Sequence, residues 1–141
     1  MGSLPDEWAL PEITAFNEAW FTSGTIAVQV CTACGTRQHP PEEICHRCGS
    51  MVFDTEALAP SGTVHSFTVV HHPANPALAE AVPYTVVLVA LDDDPDRRVV
   101  GSYEGPRPVI GQPVRAVWHE RTAEDGTVIR LPSWIPTPSG P

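Results

Sequence analysis

Apolar residues along this chain recur with two different periods, and the change of period divides it. Between residues 11 and 23 they follow a helical stripe, with Ile13, Phe16 and Trp20 three and four positions apart. Pro11 and Glu12 suit a first helical turn and Gly24 suits a stop, so a helix is predicted over 11–23. The mainly β-branched run at 25–30 predicts a strand. Beyond Gly49 the texture becomes that of strands. Residues 52–58 predict a short one, and Pro60-Ser61-Gly62 predicts a turn. Five longer segments rich in Val, Ile, Thr or aromatic residues follow, at 63–71, 84–91, 98–103, 113–120 and 128–134. Loops at 73–83, 92–96 and 105–111 and an Asp125-Gly126 turn separate them. The 16 prolines keep helix content low.

Five short strands uninterrupted by helical patterns predict a small closed barrel, and the OB-fold is the five-stranded solution. A sandwich would need about seven strands. Trp118 and Trp134 fall within strands and are expected in the barrel core. The run Asp92-Asp93-Asp94-Pro95-Asp96 reads as a solvated hairpin tip. A calcium loop would need an acidic residue where Tyr103 stands.

Between the two textures lie all four cysteines of the chain, as Cys31-x2-Cys34 and Cys45-x2-Cys48, each pair followed by a glycine. A C-x-x-C turn sets two sulfurs on one side of a tight loop. Two such turns brought together offer four thiolates to a tetrahedral Zn²⁺. Iron is the alternative occupant of such a set. The ribbon holding them has almost no apolar core, so metal binding of roughly 10–16 kcal/mol is what folds it. Four protein ligands close the coordination sphere and leave no position for an activated water, so the metal is expected to be structural. Reduced thiols place the protein in the cytoplasm.

The net charge is −9, from 8 basic and 17 acidic residues, and every basic residue is arginine. An acidic surface repels a phosphate backbone and argues against nucleic acid as a partner. No apolar run approaches the roughly 20 residues of a membrane span. Arginine binds single phosphates bidentately, which makes Arg97, Arg98, Arg107 and Arg115 candidates for a phosphorylated small ligand. His71 and His72 precede the long 73–83 loop, where ligands and partners commonly bind. Phe16, Trp20 and Phe21 are candidates for partner docking, because aromatic anchors dominate interfaces. The candidate serines Ser61, Ser66 and Ser102 lack a nucleophile-elbow motif.

The order of these parts resembles a known family. An aromatic-bearing helix leads to Val28-Gln29-Val30-Cys31 and the first knuckle, and Pro40-Pro41 precedes the second. The barrel opens Ser61-Gly62-Thr63-Val64-His65-Ser66-Phe67, continues through Val82-Pro83-Tyr84 and Ile110-Gly111-Gln112-Pro113, and closes Leu131-Pro132-Ser133-Trp134-Ile135-Pro136. From about Phe16 to Pro136 the chain is similar to the acyl-CoA-associated family known as domain of unknown function thirty-five. The resemblance implies a mainly β protein with an N-terminal helical segment (1–24), a rubredoxin-like zinc ribbon (25–58), a five-stranded OB-fold (59–136) and a loose tail (137–141). It implies structural Zn²⁺ on Cys31, Cys34, Cys45 and Cys48. It further implies a non-catalytic subunit whose thiolase-like partner, of the lipid-transfer-protein type, carries the chemistry: thiolysis, acyl transfer or retro-aldol cleavage of steroid-CoA side chains. A MaoC-type enoyl-CoA hydratase is a second implied partner, and acyl-CoA is the implied ligand of the complex, with His71, His72 and the four arginines as its candidate contacts. Members often carry arginine where this chain has Val30 and a basic residue where it has His72. The competing functions are a nucleic-acid-binding ribbon/OB module and a rubredoxin-like electron carrier.

Overall fold

In the computed structural model, which describes residues 10–138, the first regular element is a single helical turn, α1 (Glu18–Thr22). It is much shorter than the predicted 11–23. The cause is Asn17, whose Oδ1 accepts from the Thr14 amide at 2.7 Å while its Nδ2 donates to the Glu12 carbonyl at 3.0 Å. Such local side-chain bonds take the backbone groups that a first helical turn would use. Residues 1–9 and 139–141 lie outside the described residues, and with them part of the expected N-terminal segment and tail. Thr137 is held, its amide donating to the Pro113 carbonyl at 3.1 Å.

Two sheets follow. The first is three-stranded, in the order β2-β1-β3, from β1 (Ile26–Cys31), β2 (Arg37–Gln38) and β3 (Phe53–Leu58). Strand β1 pairs with β3 along its whole length, from Ile26 opposite Leu58 to Cys31 opposite Phe53. The second is a closed five-stranded barrel in the order β4-β5-β6-β8-β7. Its members are β4 (Ser61–Val70), β5 (Tyr84–Leu91), β6 (Arg98–Tyr103), β7 (Pro113–Thr122) and β8 (Val128–Pro136). Closure comes from a short parallel contact of β6 with β8 and from β4 with β7, so no edge is left unpaired.

The expected turn at Pro60-Ser61-Gly62 is instead the start of β4. Gly62 is needed there for close approach rather than for turning. A Cβ at this position would stand 2.2 Å from the Ala90 carbonyl oxygen of β5. The 73–83 loop carries one 3₁₀ turn, Pro76–Leu78, capped by the Asn75 side chain.

The two sheets share one apolar core. Ile26, Val28 and Leu58 of the first join Val64, Val87, Val89, Val99, Val114 and Trp134 of the barrel. Trp118 packs against that core, as does Phe67. The hairpin tip at 92–96 fastens the junction. Asp93 accepts from the Ala59 amide at 2.8 Å, and Asp94 pairs with Arg37 of β2 at 3.2 Å. The tip is therefore a clamp at two of its four aspartates, where the sequence suggested solvated charge throughout. No helix among the described residues is long and apolar enough to cross a membrane.

Candidate functional site

The two knuckles fold by the same backbone device. In the first, Gly35 N donates to Cys31 O at 2.8 Å and Cys31 N to Thr36 O at 2.9 Å. In the second, Gly49 N donates to Cys45 O at 2.9 Å and Cys45 N to Ser50 O at 2.8 Å. Gly35 and Gly49 have φ of 76° and 78°, a left-handed conformation that glycine adopts without a steric penalty. The first cysteine of each pair is buried and the second exposed.

The four Sγ atoms converge, all within 4.8 Å of one another. Cys31 and Cys48 stand 3.5 Å apart, and Cys34 and Cys45 stand 3.7 Å apart. Zn–S bonds of about 2.3 Å put the corners of a thiolate tetrahedron about 3.8 Å apart, so the donor set fits Zn²⁺. No cysteine is in a disulfide. The acidities point the same way. Hydrogen bonding to the Thr36 hydroxyl and amide brings the Cys34 thiol down to about 6. The Cys34 amide lowers Cys31. Cys48 stands at about 12: the Ser50 amide draws it down, but crowding by the Cys31 sulfur and its neighbours outweighs that pull. Four sulfurs this close cannot all ionise without a cation between them, and a divalent metal supplies it.

Two buried glutamines hold the knuckles in place, and sequence reasoning missed both. Gln29 of β1 and Gln38 of β2 are 5% and 4% exposed. Gln38 Nε2 donates to Gln29 Oε1 at 2.6 Å, Gln29 Nε2 donates to the Glu42 carbonyl at 2.7 Å, and Gln38 Oε1 accepts from the His46 amide at 3.1 Å. The arm from Pro40 into the second knuckle is thus stapled to the sheet. The available signal was a glutamine inside the otherwise apolar strand Ile26–Cys31, where a buried amide demands partners. His46 places Nδ1 2.8 Å from Gln38 Oε1 and so supports the staple.

The aromatic candidates separate. Trp20 is buried in the shared core, its ring edge-on to His39 at 4.4 Å and to Trp118 at 6.4 Å. Phe21 packs against the same core. The short helix turns both toward the shared core, leaving Trp20 buried and Phe21 half-buried. Phe16 lines an open pocket of about 330 Å³ with Ala19, Gln29, Met51 and Phe53.

The candidate ligand contacts do not form one cluster. His71 and His72 are exposed just past the end of β4, beside the start of β5. Arg98 and Arg115 lie at the opposite end of the sheet, in register with Ala90 and Ser61. The interval along the ten residues of β4 is about 30 Å at the rise of an extended strand. Arg97 is committed to Asp94 at 3.3 Å. Arg107 lies over the Phe67 ring at 5.3 Å.

Comparison with known proteins matches this arrangement part by part. Residues 22–53 match the family described as the ChsH2 rubredoxin-like zinc ribbon domain, and residues 55–119 match the ChsH2 C-terminal OB-fold domain. A chain of a solved structure titled Ltp2-ChsH2(DUF35) aldolase superposes with a TM-score of 0.72 at 37% identity, over 90% of this chain and 98% of that one. The probable enoyl-CoA hydratase alpha subunit of Thermomonospora curvata is 38% identical over 120 residues, which are 81% of this chain and 36% of that protein. The chain therefore spans little more than a third of that relative. A DUF35 domain-containing scaffold protein of Methanocaldococcus jannaschii is 32% identical over 100 residues, 68% of each chain. With both domain types in order and a relative matched over two thirds of its length, the chain belongs to the DUF35 family, as a ChsH2-type zinc ribbon joined to its OB-fold barrel.

Proposed function

We propose that this chain is a non-catalytic accessory subunit. It binds a thiolase-fold enzyme and helps hold or channel acyl-CoA, in lipid or steroid side-chain breakdown or in acyl transfer. The observation that carries this reading is the likeness, over 98% of its length, to the DUF35 chain of a structure titled as an aldolase. The scaffold name of one relative and the hydratase-subunit name of another agree with a role beside acyl-CoA enzymes, with a MaoC-type hydratase as a second partner. Zn²⁺ on Cys31, Cys34, Cys45 and Cys48 serves structure, because four protein ligands leave no open position for chemistry.

The test is co-expression with the thiolase-fold protein of the same genome, followed by size exclusion and a retro-aldol and thiolysis assay on acyl-CoA. Co-elution, with activity only in the complex, is expected. A lone chain that turns over acyl-CoA, or one that never co-elutes, would overturn the reading.

A further inference from the structure

The outward face of β5 is where the barrel departs from its own alternation. Val87, Val89 and Leu91 are fully buried. The positions between them, together with Tyr84, lie on the other side of the pleat: Tyr84, Val86, Leu88 and Ala90. All four are apolar. A continuous apolar strand is the pattern of one covered on both faces. Here the cross-strand neighbours of Leu88 are Ser66 and Val100, and those of Val86 are Thr68 and Ser102. Ser66, Thr68, Val86, Leu88 and Val100 line a shallow depression of about 200 Å³. Val100 is 61% exposed.

Charge is distributed to match. Strands β4, β5 and β6 contain no acidic residue, in a chain that has 17. The charge on this face is Arg98, exposed at the start of β6 opposite Ala90, whereas Arg107 lies over the Phe67 ring, whose strand partner is the buried Val87, and so on the other side of β4. Neither has a carboxylate partner among the described residues. Carboxylates stand at the margins of the face: at the 92–96 tip, where Asp93 and Asp94 are turned to the ribbon junction, and just past β6, where Glu104 pairs with His119 at 3.2 Å. An apolar centre, depleted of charge and edged by arginine, is the composition of a protein interface.

The strand face alone is too small. Three strands about 4.8 Å apart, over about six residues each, cover about 300 Å², against about 800 Å² per partner in a stable interface. The adjoining 104–112 loop extends it. Gly111 N donates to Val64 O at 2.7 Å and Val64 N to Gln112 O at 3.0 Å, which lays the loop beside β4. The Gln112 side chain accepts from the Val109 amide at 2.7 Å and donates to the Tyr103 hydroxyl at 3.2 Å. Although held this firmly, the loop presents Val109 and Ile110 at 66% and 59% exposure. Rigid exposed aliphatics dock with little ordering cost.

We propose that the outer face of β4–β6, with the 109–110 loop tip, docks an apolar surface rimmed by carboxylates on the thiolase-fold enzyme. The partner's identity rests on the function proposed above. The arginine edge selects the occupant. A second copy would set like-charged rims together on two chains of charge −9 each, whereas partner carboxylates complement Arg98.

The test measures dissociation constants between this chain and the thiolase-fold protein of the same genome. The chains compared are wild type, Val100→Glu, Arg98→Glu and Met51→Glu. Val100→Glu should weaken binding about 100-fold or more, because a carboxylate then sits in the desolvated centre. Its zinc content and thermal midpoint should stay those of the wild type, since the side chain is exposed. Arg98→Glu should cost about tenfold, mainly through slower association, with a shallower salt dependence. Met51→Glu, on the ribbon, should bind like the wild type. Unchanged binding by Val100→Glu and Arg98→Glu overturns this inference and leaves the accessory role standing. A wild-type chain that does not bind overturns both. Loss confined to Met51→Glu assigns docking to the ribbon, and a Val100-dependent dimer of the lone chain assigns the face to a second copy. Either result also overturns it.

Discussion

In the barrel Val87, Val89, Leu91, Val99, Val114 and Trp134 are each fully buried, while at the knuckle end of the ribbon Ile44, Met51 and Val52 are 51%, 60% and 64% exposed. The barrel has an interior and the knuckle end has only its sulfurs and two glutamines. Apolar burial thus stabilises one region and a metal the other. The seam between them, where Ile26, Val28 and Leu58 enter the barrel's core, decides how far damage spreads.

The sharpest way to break the comparison is Cys34→Ser. It removes one of four ligands from a region that metal folds, against a metal-binding free energy of roughly 10–16 kcal/mol. The expected outcome is loss of zinc by elemental analysis and loss of amide dispersion from residues 26–58. The barrel should stay folded but weakened, because the seam residues go with the ribbon. A variant that keeps zinc and full stability would show that the knuckles need no closed metal site.

The opposite cut is Trp134→Ala. Trp134 is fully buried, and Gly101 is kept small beneath it: a Cβ there would meet the indole at 2.8 Å. The expected cost is about 3–5 kcal/mol in denaturant unfolding. Zinc content under native conditions should not change. If zinc is lost with the barrel core, the two regions form one cooperative unit and the contrast is one of composition only.

What was legible in the sequence divides along the same seam, for a physical reason. Strands β5 and β6 stand where their apolar runs predict them, because burial writes a period into the chain. The metal site was legible from spacing, since four ligands at two fixed intervals need no knowledge of the rest. The misses are positions whose partners are distant. Gln29 looks like a polar lapse in a strand until Glu42 and Gln38 stand beside it. Asp93 and Asp94 look solvated until the Ala59 amide and Arg37 of the ribbon stand beside them. Gly62 looks like a turn until Ala90 crosses it. Asn17 is the local exception, for its shortening of the helix could have been suspected from its polar side chain alone.

Acid tests the seam from within. His39 packs edge-on to Trp20, its Nδ1 has no hydrogen-bond partner, and burial pushes its pKa from the usual 6.5 to about 4. Between these values the unfolded chain binds a proton that the folded one refuses. Stability therefore falls as pH drops from about 6.5 to about 4, by up to about 3 kcal/mol, and is fully present above that window. His39→Phe should remove this acid limb while leaving the zinc-release limb of the thiolates. Trp20 lies 4.4 Å from the His39 ring, so tryptophan fluorescence of the two proteins across pH gives the comparison. Identical acid limbs would remove His39 from the account.

The smallest expected effect probes whether the two regions need each other's charges. Arg37 of β2 holds Glu56 of β3 through Nη2 at 2.7 Å and Nε at 3.0 Å, and reaches Asp94 of the barrel tip at 3.2 Å. Those contacts raise the arginine's pKa, Glu56 first and Asp94 second, and Asp94 lies below the usual carboxylate range despite its partial burial. All three side chains keep solvent contact, so screening limits their worth to about 1 kcal/mol. Arg37→Met should lower the midpoint of urea unfolding by that amount at low salt and by less near 1 M salt. A double-mutant cycle with Asp94→Asn isolates the part that crosses the seam. A coupling near zero would mean the shared apolar core alone joins ribbon to barrel. A coupling approaching the full loss would mean that the acidic tip, placed at the far end of β5, is what orients the metal site on the barrel.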